Sequence, residues 1–415
     1  MQLTHVKELE SKYILGTYAR YDVLVERGSG AYLVDRSNKR YLDLLTGIGV
    51  NALGHNHPRV KQLLRKQIKR PLHVSNLFYH EYQGRLAEKL SNISGLDRAF
   101  FTNSGAESIE GCLKFARAYA GRVSTNGSGR KYRILALENS FHGRTLGALS
   151  ATSQKKYRDP FEPLVPGFEF VEFNNVEDLQ RKFTDDVCAV MIETIQGEGG
   201  IRLLSEEFYH AARRLTAERG ALLIADEIQC GLGRTGRWFA FQEFVSPTDK
   251  DALPDIIACA KPLGLGIPLG AVLLKERVAA AIRAGEHGTT FGGGPLACRV
   301  SIEYFRIIED DGLLGYIADT GAYFKSRLEE LRSLPVVKDV RGRGLMLAVE
   351  LNVPGKEIVK KLLAEGFVTN CTHDTVLRFL PPFVITRKQI DKFIRALQAV
   401  LAAEPIGPEA ETAPN

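Results

Sequence analysis

Short apolar runs alternate with amphipathic stretches through the middle of the chain, and this alternation constrains the fold more than any other feature. Segments such as ESIEGCLKFARAYA repeat apolar residues at i, i+3 and i+4, the spacing of an amphipathic helix. Buried strands separated by such helices predict an α/β fold with a mostly parallel sheet covered on both faces. In sheets of this kind, ligands bind beyond the carboxyl ends of the strands. The apolar runs are RAFFT (98–102), RILALE (133–138), FEFVEF (168–173), CAVMIE (188–193), ALLIAD (221–226) and DIIACA (255–260).

The pattern changes near residue 300, where we expect a second, smaller α+β domain. Two helical stretches flank VVKDVRGRGLMLAVEL (336–351), and TVLRFLPPFVI (375–385) follows. The segment GAYLVDRSNKRYLDLL (30–45) alternates like a hairpin and is expected to pack with the same domain. We predict a large domain over 56–299, a small domain built from 1–55 and 300–403, and a disordered tail over 404–415, which is rich in Pro, Glu and Ala.

Composition excludes several classes of protein. The 415 residues include 55 Lys and Arg against 49 Asp and Glu, and a net charge of +6 is too thin to indicate a nucleic-acid or membrane-surface partner. No apolar run approaches the ~20 residues needed to cross a bilayer. The six cysteines form no CxxC pair, so we expect reduced, buried thiols and no metal site. With no secretory signal visible, these features are typical of a cytoplasmic protein.

Chemically active side chains stand at the ends of three predicted strands. ALLIAD ends in Asp226, CAVMIE ends in Glu193, and Lys261 follows DIIACA directly. A lysine between an apolar run and a glycine-rich loop is placed to lose its water, which lowers its pKa and makes it a nucleophile. A single strand-end Asp or Lys is more often a cap or a solvated terminus. Several of them converging at one edge of one sheet favour a site.

A phosphate site is also indicated after the first of these strands. The turn Asn103-Ser104-Gly105-Ala106-Glu107-Ser108 leads from RAFFT into a predicted helix. Free amides and a hydroxyl at a helix N-terminus bind anions well, although a plain N-cap explains this turn equally well. An acidic partner for a ring nitrogen, an amine for an aldehyde and amides for a phosphate together fit pyridoxal phosphate.

The chain resembles the class III (ornithine-type) aminotransferases, of the aspartate-aminotransferase fold (fold type I), from about residue 12 to 402. The resemblance implies a transamination that depends on pyridoxal phosphate. The motifs that carry it are GHNHP (54–58), HVSNLFYH (73–80), NSGAES (103–108), FHGRT (141–145), QGEGG (196–200), ADEIQCGLGRTG (225–236), the Lys261 loop and HGTTFGGGPLA (287–297).

This resemblance assigns roles around the cofactor. Lys261 would bond the cofactor's aldehyde and then carry the proton between the substrate and the cofactor. Asp226 would pair with the ring nitrogen, Gln229 would reach the ring hydroxyl, and Phe141 would stack on the ring. The residues implied for the phosphate are Ser104, Gly105 and Ala106, together with Thr290 from a second subunit, which implies a homodimer with shared active sites.

The resemblance also implies how substrates bind. Arg144 and Arg378 look like the two carboxylate-binding arginines, and a dicarboxylate such as 2-oxoglutarate needs two cations at opposite ends. Glu198 resembles the residue that neutralises the Arg378-type arginine when the amino donor has no second carboxylate. Such a pair is a physical route to dual specificity.

The amino donor is read from TGIGVNALGH (46–55). Ile48 stands where free-ornithine enzymes of the class typically carry tyrosine, whereas the acetylornithine and 4-aminobutyrate branches tend to carry isoleucine. HVSNLFYH and the short N-terminal segment favour N-acetylornithine as donor and 2-oxoglutarate as acceptor. Other donors (4-aminobutyrate, succinylornithine, succinyldiaminopimelate, lysine or ornithine) stay open, as does an aminomutase. A non-catalytic regulator is disfavoured because no helix-turn-helix segment or basic arm is found.

Three positions depart from the family pattern near the predicted site. Thr194 replaces the usual proline after Glu193, Pro262 follows Lys261 where a small residue is commoner, and Gly294 replaces the asparagine of GGNP. None of the three removes a group expected to do chemistry. They are candidates for a shifted donor preference.

Overall fold

The computed structural model describes residues 2–123, 131–246 and 248–404. The predicted disordered tail at 404–415 therefore lies outside the described residues, apart from Glu404. The strands, in chain order, are β1 (Val25–Ser29), β2 (Tyr32–Asp35), β3 (Arg40–Asp43), β4 (Arg98–Thr102), β5 (Arg133–Leu137), β6 (Phe168–Val171), β7 (Val187–Glu193), β8 (Ile195–Gln196), β9 (Arg202–Leu203), β10 (Leu222–Asp226), β11 (Ile256–Cys259), β12 (Gly270–Leu274), β13 (Val337–Arg343), β14 (Met346–Leu351), β15 (Phe367–Val368), β16 (Asn370–Thr372) and β17 (Val376–Phe379).

The α-helices surround these strands. They are α1 (Leu3–Tyr13), α2 (Pro58–Gln67), α3 (Gln83–Ser94), α4 (Gly105–Val123), α5 (Leu146–Ser150), α6 (Lys155–Arg158), α7 (Val176–Lys182), α8 (Glu206–Glu218), α9 (Glu276–Ala279), α10 (Pro295–Asp310), α11 (Leu313–Glu329), α12 (Lys356–Ala364) and α13 (Arg387–Ala402). A short helical turn, Thr46–Gly49, differs from all of these because its backbone is left-handed.

A seven-stranded sheet forms the centre of the molecule, with strand order β4-β12-β11-β10-β7-β5-β6. All its pairings are parallel except those that β12 makes with β11 and β4. The prediction of a mostly parallel α/β sheet is confirmed, and the six predicted strands are all present. The strand that the sequence pattern did not predict is β12, which follows the glycine-rich loop after Lys261 and runs against its neighbours.

The first and last parts of the chain build two smaller sheets. The predicted hairpin at 30–45 is present as β2 and β3, and β3 also pairs in parallel with the distant strand β15 through Leu42 and Phe367. The second small sheet has the order β13-β14-β17-β16, with every pair antiparallel. The boundaries of the large and small domains stay a prediction.

Apolar side chains cover both faces of the central sheet. One face packs against α4, whose Ile109, Leu113 and Ala116 are buried in a cluster with Ile224 and Val272. The opposite face belongs to a larger cluster that continues into the C-terminal sheet. Covering on both faces explains why the strands read as continuous apolar runs. In the described ranges, no helix is both long and apolar enough to cross a membrane.

Candidate active site

A cavity of about 300 Å³ lies at the carboxyl edge of the central sheet, next to the ends of β7, β10 and β11. It gathers predicted residues from five separate loops. Its lining residues are Gly105, Ala106, Phe141, His142, Gly143, Arg144, Glu193, Ile195, Glu198, Asp226, Ile228, Gln229, Cys230 and Lys261. Of the predicted site residues, Ser104, Thr290 and Arg378 are not part of this lining.

Asp226, the last residue of β10, is held at the cavity by two contacts. Its Oδ2 lies 2.7 Å from His142 Nδ1, and its Oδ1 accepts the backbone N–H of Ile228 at 3.1 Å. Burial alone would lower the pKa of His142, but the Asp226 hydrogen bond and the Asp226 and Glu193 charges outweigh it and hold that pKa above its ordinary value. His142 and Asp226 therefore form a hydrogen-bonded pair removed from water, in which the carboxyl group favours the protonated form of the imidazole.

Glu193 ends β7 beside this pair. Its Oε2 accepts the backbone N–H of Phe141 at 3.2 Å. Burial raises the pKa of Glu193 well above its ordinary value; the charge of His142 opposes the rise and that of Asp226 adds to it. Two carboxyls and one imidazole thus share a small buried volume.

Lys261 opens a one-turn 3₁₀ helix, Lys261–Gly264, two residues after the end of β11. Its backbone φ is +26°, which lies in the region that side-chain-bearing residues rarely adopt. Burial lowers the pKa of its amine, and although Asp226 and Glu198 oppose this, the pKa stays below its ordinary value. A lowered pKa makes the neutral, nucleophilic amine more abundant at a given pH.

The turn between β4 and α4 points the start of a helix at the cavity. Ser104 Oγ accepts the N–H of Glu107 at 3.2 Å, and the Glu107 carboxylate accepts the backbone N–H of Asn103 at 2.7 Å. The first N–H groups of the helix, on Gly105 and Ala106, have no acceptor within the helix itself, which is why anions bind at such ends. A Cβ at Gly105 would lie 3.0 Å from Ile228 Cγ2, so glycine allows the turn to approach the loop after Asp226 closely.

Arg378, on β17, forms an ion pair with Glu198 at the cavity wall. Arg378 Nη1 donates to Glu198 Oε1 at 2.5 Å and to Gln229 Oε1 at 3.1 Å, and the arginine is only 1% exposed. Burial would raise the pKa of Glu198, but Arg378 and, more weakly, Lys261 and Gln229 reverse this and hold it below its ordinary value. The carboxylate is therefore ionised, and it already accepts one of the hydrogen bonds that the guanidinium can donate.

Arg144 lies on the other side of the cavity. Its guanidinium carbon stands 3.9 Å from the centre of the Tyr157 ring and 5.5 Å from that of Phe141. Such stacking orients a planar guanidinium without occupying its N–H donors. The two predicted arginines thus differ in state: Arg378 is paired with a carboxylate, and Arg144 is exposed and stacked on aromatic rings.

Thr290 does not reach the cavity of its own chain. It is exposed, and it lies in a loop tied to a second loop by the Asn76 side-chain amide, which donates to the carbonyls of Thr289 and Gly292 at 3.2 Å each. Large apolar side chains in these two loops face solvent, among them Leu77 at 87% exposure and Phe291 at 65%. We define Leu72, Leu77, Phe78, Tyr79 and Phe291 as the apolar loop surface.

The sequence pattern gave no role to two groups of buried polar residues beside the site. His142 belongs to the FHGRT motif. Its contact with Asp226 joins residues 84 positions apart, so no local sequence pattern predicts it. Glu227 accepts the Thr194 hydroxyl at 2.9 Å and the N–H groups of Ala240 and Phe241 at 2.7 and 2.9 Å. The departure at Thr194 therefore supplies a hydrogen bond that proline could not.

A sequence model of the family aminotransferase class-III matches residues 16–401 of the chain. The chain belongs to the class-III aminotransferases, which are transaminases dependent on pyridoxal phosphate.

Particular relatives narrow the comparison. The chain is 47% identical over 394 residues to the acetylornithine aminotransferase of Methanocaldococcus jannaschii, covering 95% of this chain and 97% of that protein. It is 43% identical over 390 residues to that of Aquifex aeolicus, covering 94% of this chain and 100% of that protein. A crystal structure of Toxoplasma gondii ornithine aminotransferase, with partial occupancy of PLP at its active site, superposes with a TM-score of 0.91 at 32% identity and covers 97% of this chain and 94% of that one.

The residues at the cavity fit pyridoxal phosphate. The cofactor needs an amine, an acid facing its ring nitrogen and donors for its phosphate, and Lys261, Asp226 and the Gly105–Ala106 turn line one cavity. The close approach of Gly105 to Ile228 brings the helix start beside the loop that carries Asp226. His142 Nε2 is buried without a hydrogen-bond partner among the described residues, and Nδ1 is committed to Asp226. These groups together provide the contacts that a charged aromatic cofactor needs.

Proposed function

We propose that this enzyme transfers the δ-amino group of N-acetylornithine to 2-oxoglutarate, giving N-acetylglutamate 5-semialdehyde and glutamate, a step of arginine biosynthesis. The observation that carries the proposal is the Glu198–Arg378 pair, at 2.5 Å, in the wall of a cavity that also holds Lys261. The acetylornithine aminotransferases that match almost the whole chain at 43–47% identity support the choice of donor.

Pyridoxal phosphate, when bound, supplies an aldehyde that bonds amines and a ring that accepts electrons from the neighbouring carbon. Asp226 would hold the ring nitrogen in its protonated form, and His142 would fix the orientation of Asp226 through their 2.7 Å contact. Ser104, Gly105 and Ala106 would hold the phosphate at the start of α4. Phe141 and Gln229 would orient the ring and its hydroxyl.

Lys261 would perform the proton transfer. Burial lowers the pKa of its amine below the ordinary value, so a larger share of the amine is neutral and able to accept a proton at a given pH. Lys261 Nζ would take the proton from the substrate carbon and return it on the cofactor side. Because transfer of an amino group is a two-substrate reaction, the same amine serves the donor and the acceptor in turn.

Glu198 and Arg378 would let one site accept two unlike substrates. N-acetylornithine has one carboxylate, which Arg144 would bind, and for this donor Glu198 stays on Arg378 and neutralises it. The second carboxylate of 2-oxoglutarate would displace Glu198 and take the guanidinium bidentately. Glu198 already lies within hydrogen-bond distance of Arg378, so it can neutralise the guanidinium whenever the bound substrate has no second carboxylate.

We also propose that the enzyme works as a cytoplasmic homodimer with shared active sites. The apolar loop surface exposes five large apolar or aromatic side chains, a feature typical of an interaction site, and Thr290 directly precedes Phe291 of this surface. A second copy that covered this surface would bring Thr290 to the phosphate end of its partner's cavity.

The proposal is tested by the visible spectrum of the holoenzyme during addition of N-acetylornithine, 4-aminobutyrate or ornithine without keto acid. N-acetylornithine should bleach the yellow bound cofactor at the lowest concentration, and colour should return on addition of 2-oxoglutarate. Bleaching by 4-aminobutyrate or ornithine at lower concentration would contradict the choice of donor. Product formation without any keto acid would identify an aminomutase instead.

A further inference from the structure

A run of four consecutive left-handed residues lies against the proposed catalytic lysine. Thr46, Gly47, Ile48 and Gly49 have φ values of +52°, +64°, +62° and +84°. Two of the four, Thr46 and Ile48, are β-branched, the residue type for which this conformation is most strained. Strained backbone of this kind persists only where the surroundings impose it, and it clusters at functional sites.

The buried carboxylate of Asp43 imposes this turn. Its Oδ1 accepts the backbone N–H groups of Leu45 at 2.9 Å and Thr46 at 2.8 Å. Its Oδ2 lies 2.8 Å from His55 Nε2, and Asp43 is 1% exposed. His55 is fixed in turn because its backbone exchanges two hydrogen bonds with Gly30, at 2.8 and 3.0 Å.

The turn packs directly on Lys261. A Cβ at Gly49 would lie 3.8 Å from Lys261 Cδ, so the glycine backbone forms part of the wall along the lysine side chain. Asn51 bridges the same two segments, since a Cβ at Gly47 or at Gly266 would lie 3.4 Å from one end of its side-chain amide. A strained turn therefore packs against the side chain of Lys261, whose own backbone is strained.

We infer that Asp43, fixed by His55, is a positioning residue of the active site: it holds the left-handed turn Thr46–Gly49 against Lys261 and so sets where the lysine amine stands. This inference rests on the proposed role of Lys261. Asp43 does not line the cavity, so it would act through the turn. A displaced amine would slow proton transfer more than it weakens substrate binding, because misplacement of a reacting group is costly in rate.

The test uses Asp43→Ala, its rescue by Ile48→Gly, and a matched control. Glycine adopts the left-handed conformation freely, so Asp43→Ala/Ile48→Gly should restore a turn that Asp43→Ala alone has lost. The control is Asp178→Ala, which removes another buried carboxylate that accepts a backbone N–H, at 2.8 Å from Glu172, but in helix α7. His55→Ala serves in place of Asp43→Ala if the latter does not fold.

Two readouts separate positioning from stability. In the protein without cofactor, amide hydrogen exchange in the peptide covering 44–52 should accelerate in Asp43→Ala, slow again in the double variant and stay unchanged in Asp178→Ala. In the holoenzyme, Asp43→Ala should lower the single-turnover rate with saturating donor by roughly tenfold or more, and Asp178→Ala should leave that rate at its native value.

A folded Asp43→Ala protein with native exchange at 44–52 or with a native single-turnover rate would overturn the inference, as would a double variant whose exchange at 44–52 does not slow again. The proposed donor is judged separately, by whether native holoenzyme is bleached by N-acetylornithine. If another amine bleaches it, the single-turnover comparison is run with that amine and the role of Asp43 is still decided.

Discussion

Arg378 Nη1 and Glu198 Oε1 lie 2.5 Å apart, and the Gln229 amide oxygen takes a second hydrogen bond from the same Arg378 nitrogen. A buried guanidinium therefore lies behind Glu198, which lines the cavity, and is paired with its carboxylate. The guanidinium stays paired with Glu198 until a competing anion, such as a second substrate carboxylate, displaces Glu198. This explains how one cavity would accept a donor with one carboxylate and an acceptor with two.

Arg378→Ala should separate the two substrates. Loss of the guanidinium should lower kcat/KM for 2-oxoglutarate by roughly 100-fold, since charge-assisted bidentate contacts are the strong ones, and for N-acetylornithine by roughly tenfold or less. Steady-state kinetics with each substrate varied in turn measures the split. Arg332→Ala, which removes an ion-paired surface arginine, is the control and should leave both values unchanged. Equal losses for both substrates in Arg378→Ala would contradict the exchange.

Glu198→Gln should change the pH dependence of Lys261. Burial lowers the pKa of the lysine, so the neutral amine should capture pyridoxal phosphate with a midpoint below 10.5, its ordinary value. Glu198 raises this pKa and Arg378 lowers it. Removing the Glu198 charge should therefore move the midpoint to still lower pH.

The rate of cofactor capture by the cofactor-free protein, measured across pH, gives this midpoint. Glu206→Gln removes an exposed charge away from the site and should leave the midpoint at its native position. A midpoint that stays fixed or rises in Glu198→Gln would show that Glu198 does not act on the lysine.

Much of the site could be predicted from the sequence because three strands end in or beside a reactive residue. Parallel strands direct their carboxyl ends to one edge of a sheet, and this rule alone predicts that Glu193, Asp226 and Lys261 lie together. The Asp226–His142 and Asp43–His55 pairs were not predicted, because each joins segments whose separation in sequence carries no periodic signal.

The backbone conformation beside the site was harder to predict from the sequence than the site's side chains. The four residues TGIG (46–49) contain no sequence feature that predicts a β-branched side chain at positive φ. The turn is fixed by the buried carboxylate of Asp43, three residues before Thr46, and by the distant carbonyl of Leu380, which accepts the Thr46 hydroxyl at 2.8 Å. Strand β12 was missed for a related reason, since its antiparallel direction depends on its partners β4 and β11.

Thr194→Val should destabilise the protein in a pH-dependent way. Burial raises the pKa of Glu227 from an ordinary 4.5 to about 7, and the hydrogen bond from Thr194 is among the contacts that limit this rise. The folded carboxyl holds its proton more tightly than the unfolded one, so Glu227 lowers stability as the pH rises from about 4.5 to about 7. Without the Thr194 hydroxyl, the ionised form loses a donor.

Chemical unfolding at pH 5 and pH 8 measures this effect. Thr194→Val should cost roughly 2 kcal/mol at pH 8, where a charged acceptor loses its partner, and roughly 1 kcal/mol or less at pH 5. Thr216→Val is the matched control, because the Thr216 hydroxyl is equally buried but donates to the helix carbonyls of Ala212 and Arg213. The two variants showing the same dependence on pH would contradict the coupling to Glu227.

Gly105→Ala should weaken cofactor binding. The new Cβ would lie 3.0 Å from Ile228 Cγ2 and 3.1 Å from Ile228 Cδ1, which pushes the phosphate-binding turn away from the loop after Asp226. We expect roughly tenfold weaker binding of pyridoxal phosphate, measured by equilibrium titration of the cofactor-free protein, because the donors move out of hydrogen-bond distance.

The double variant Gly105→Ala/Ile228→Ala removes the clash and should recover most of that binding. Gly84→Ala, at an open position of α3, is the control and should bind the cofactor as the native protein does. Native affinity in Gly105→Ala would show that the turn does not hold the phosphate.

Transfer of the δ-amino group to 2-oxoglutarate can be followed directly with N-acetylornithine that carries ¹⁵N in that group. The native enzyme should place the label in glutamate. Lys261→Ala should lower that rate by at least about a thousandfold, because it removes both nucleophile and base, whereas Lys275→Ala, which changes a half-buried lysine paired with Asp255, should transfer label at the native rate. Label that remains in the donor with native enzyme, or near-native transfer by Lys261→Ala, would contradict the account.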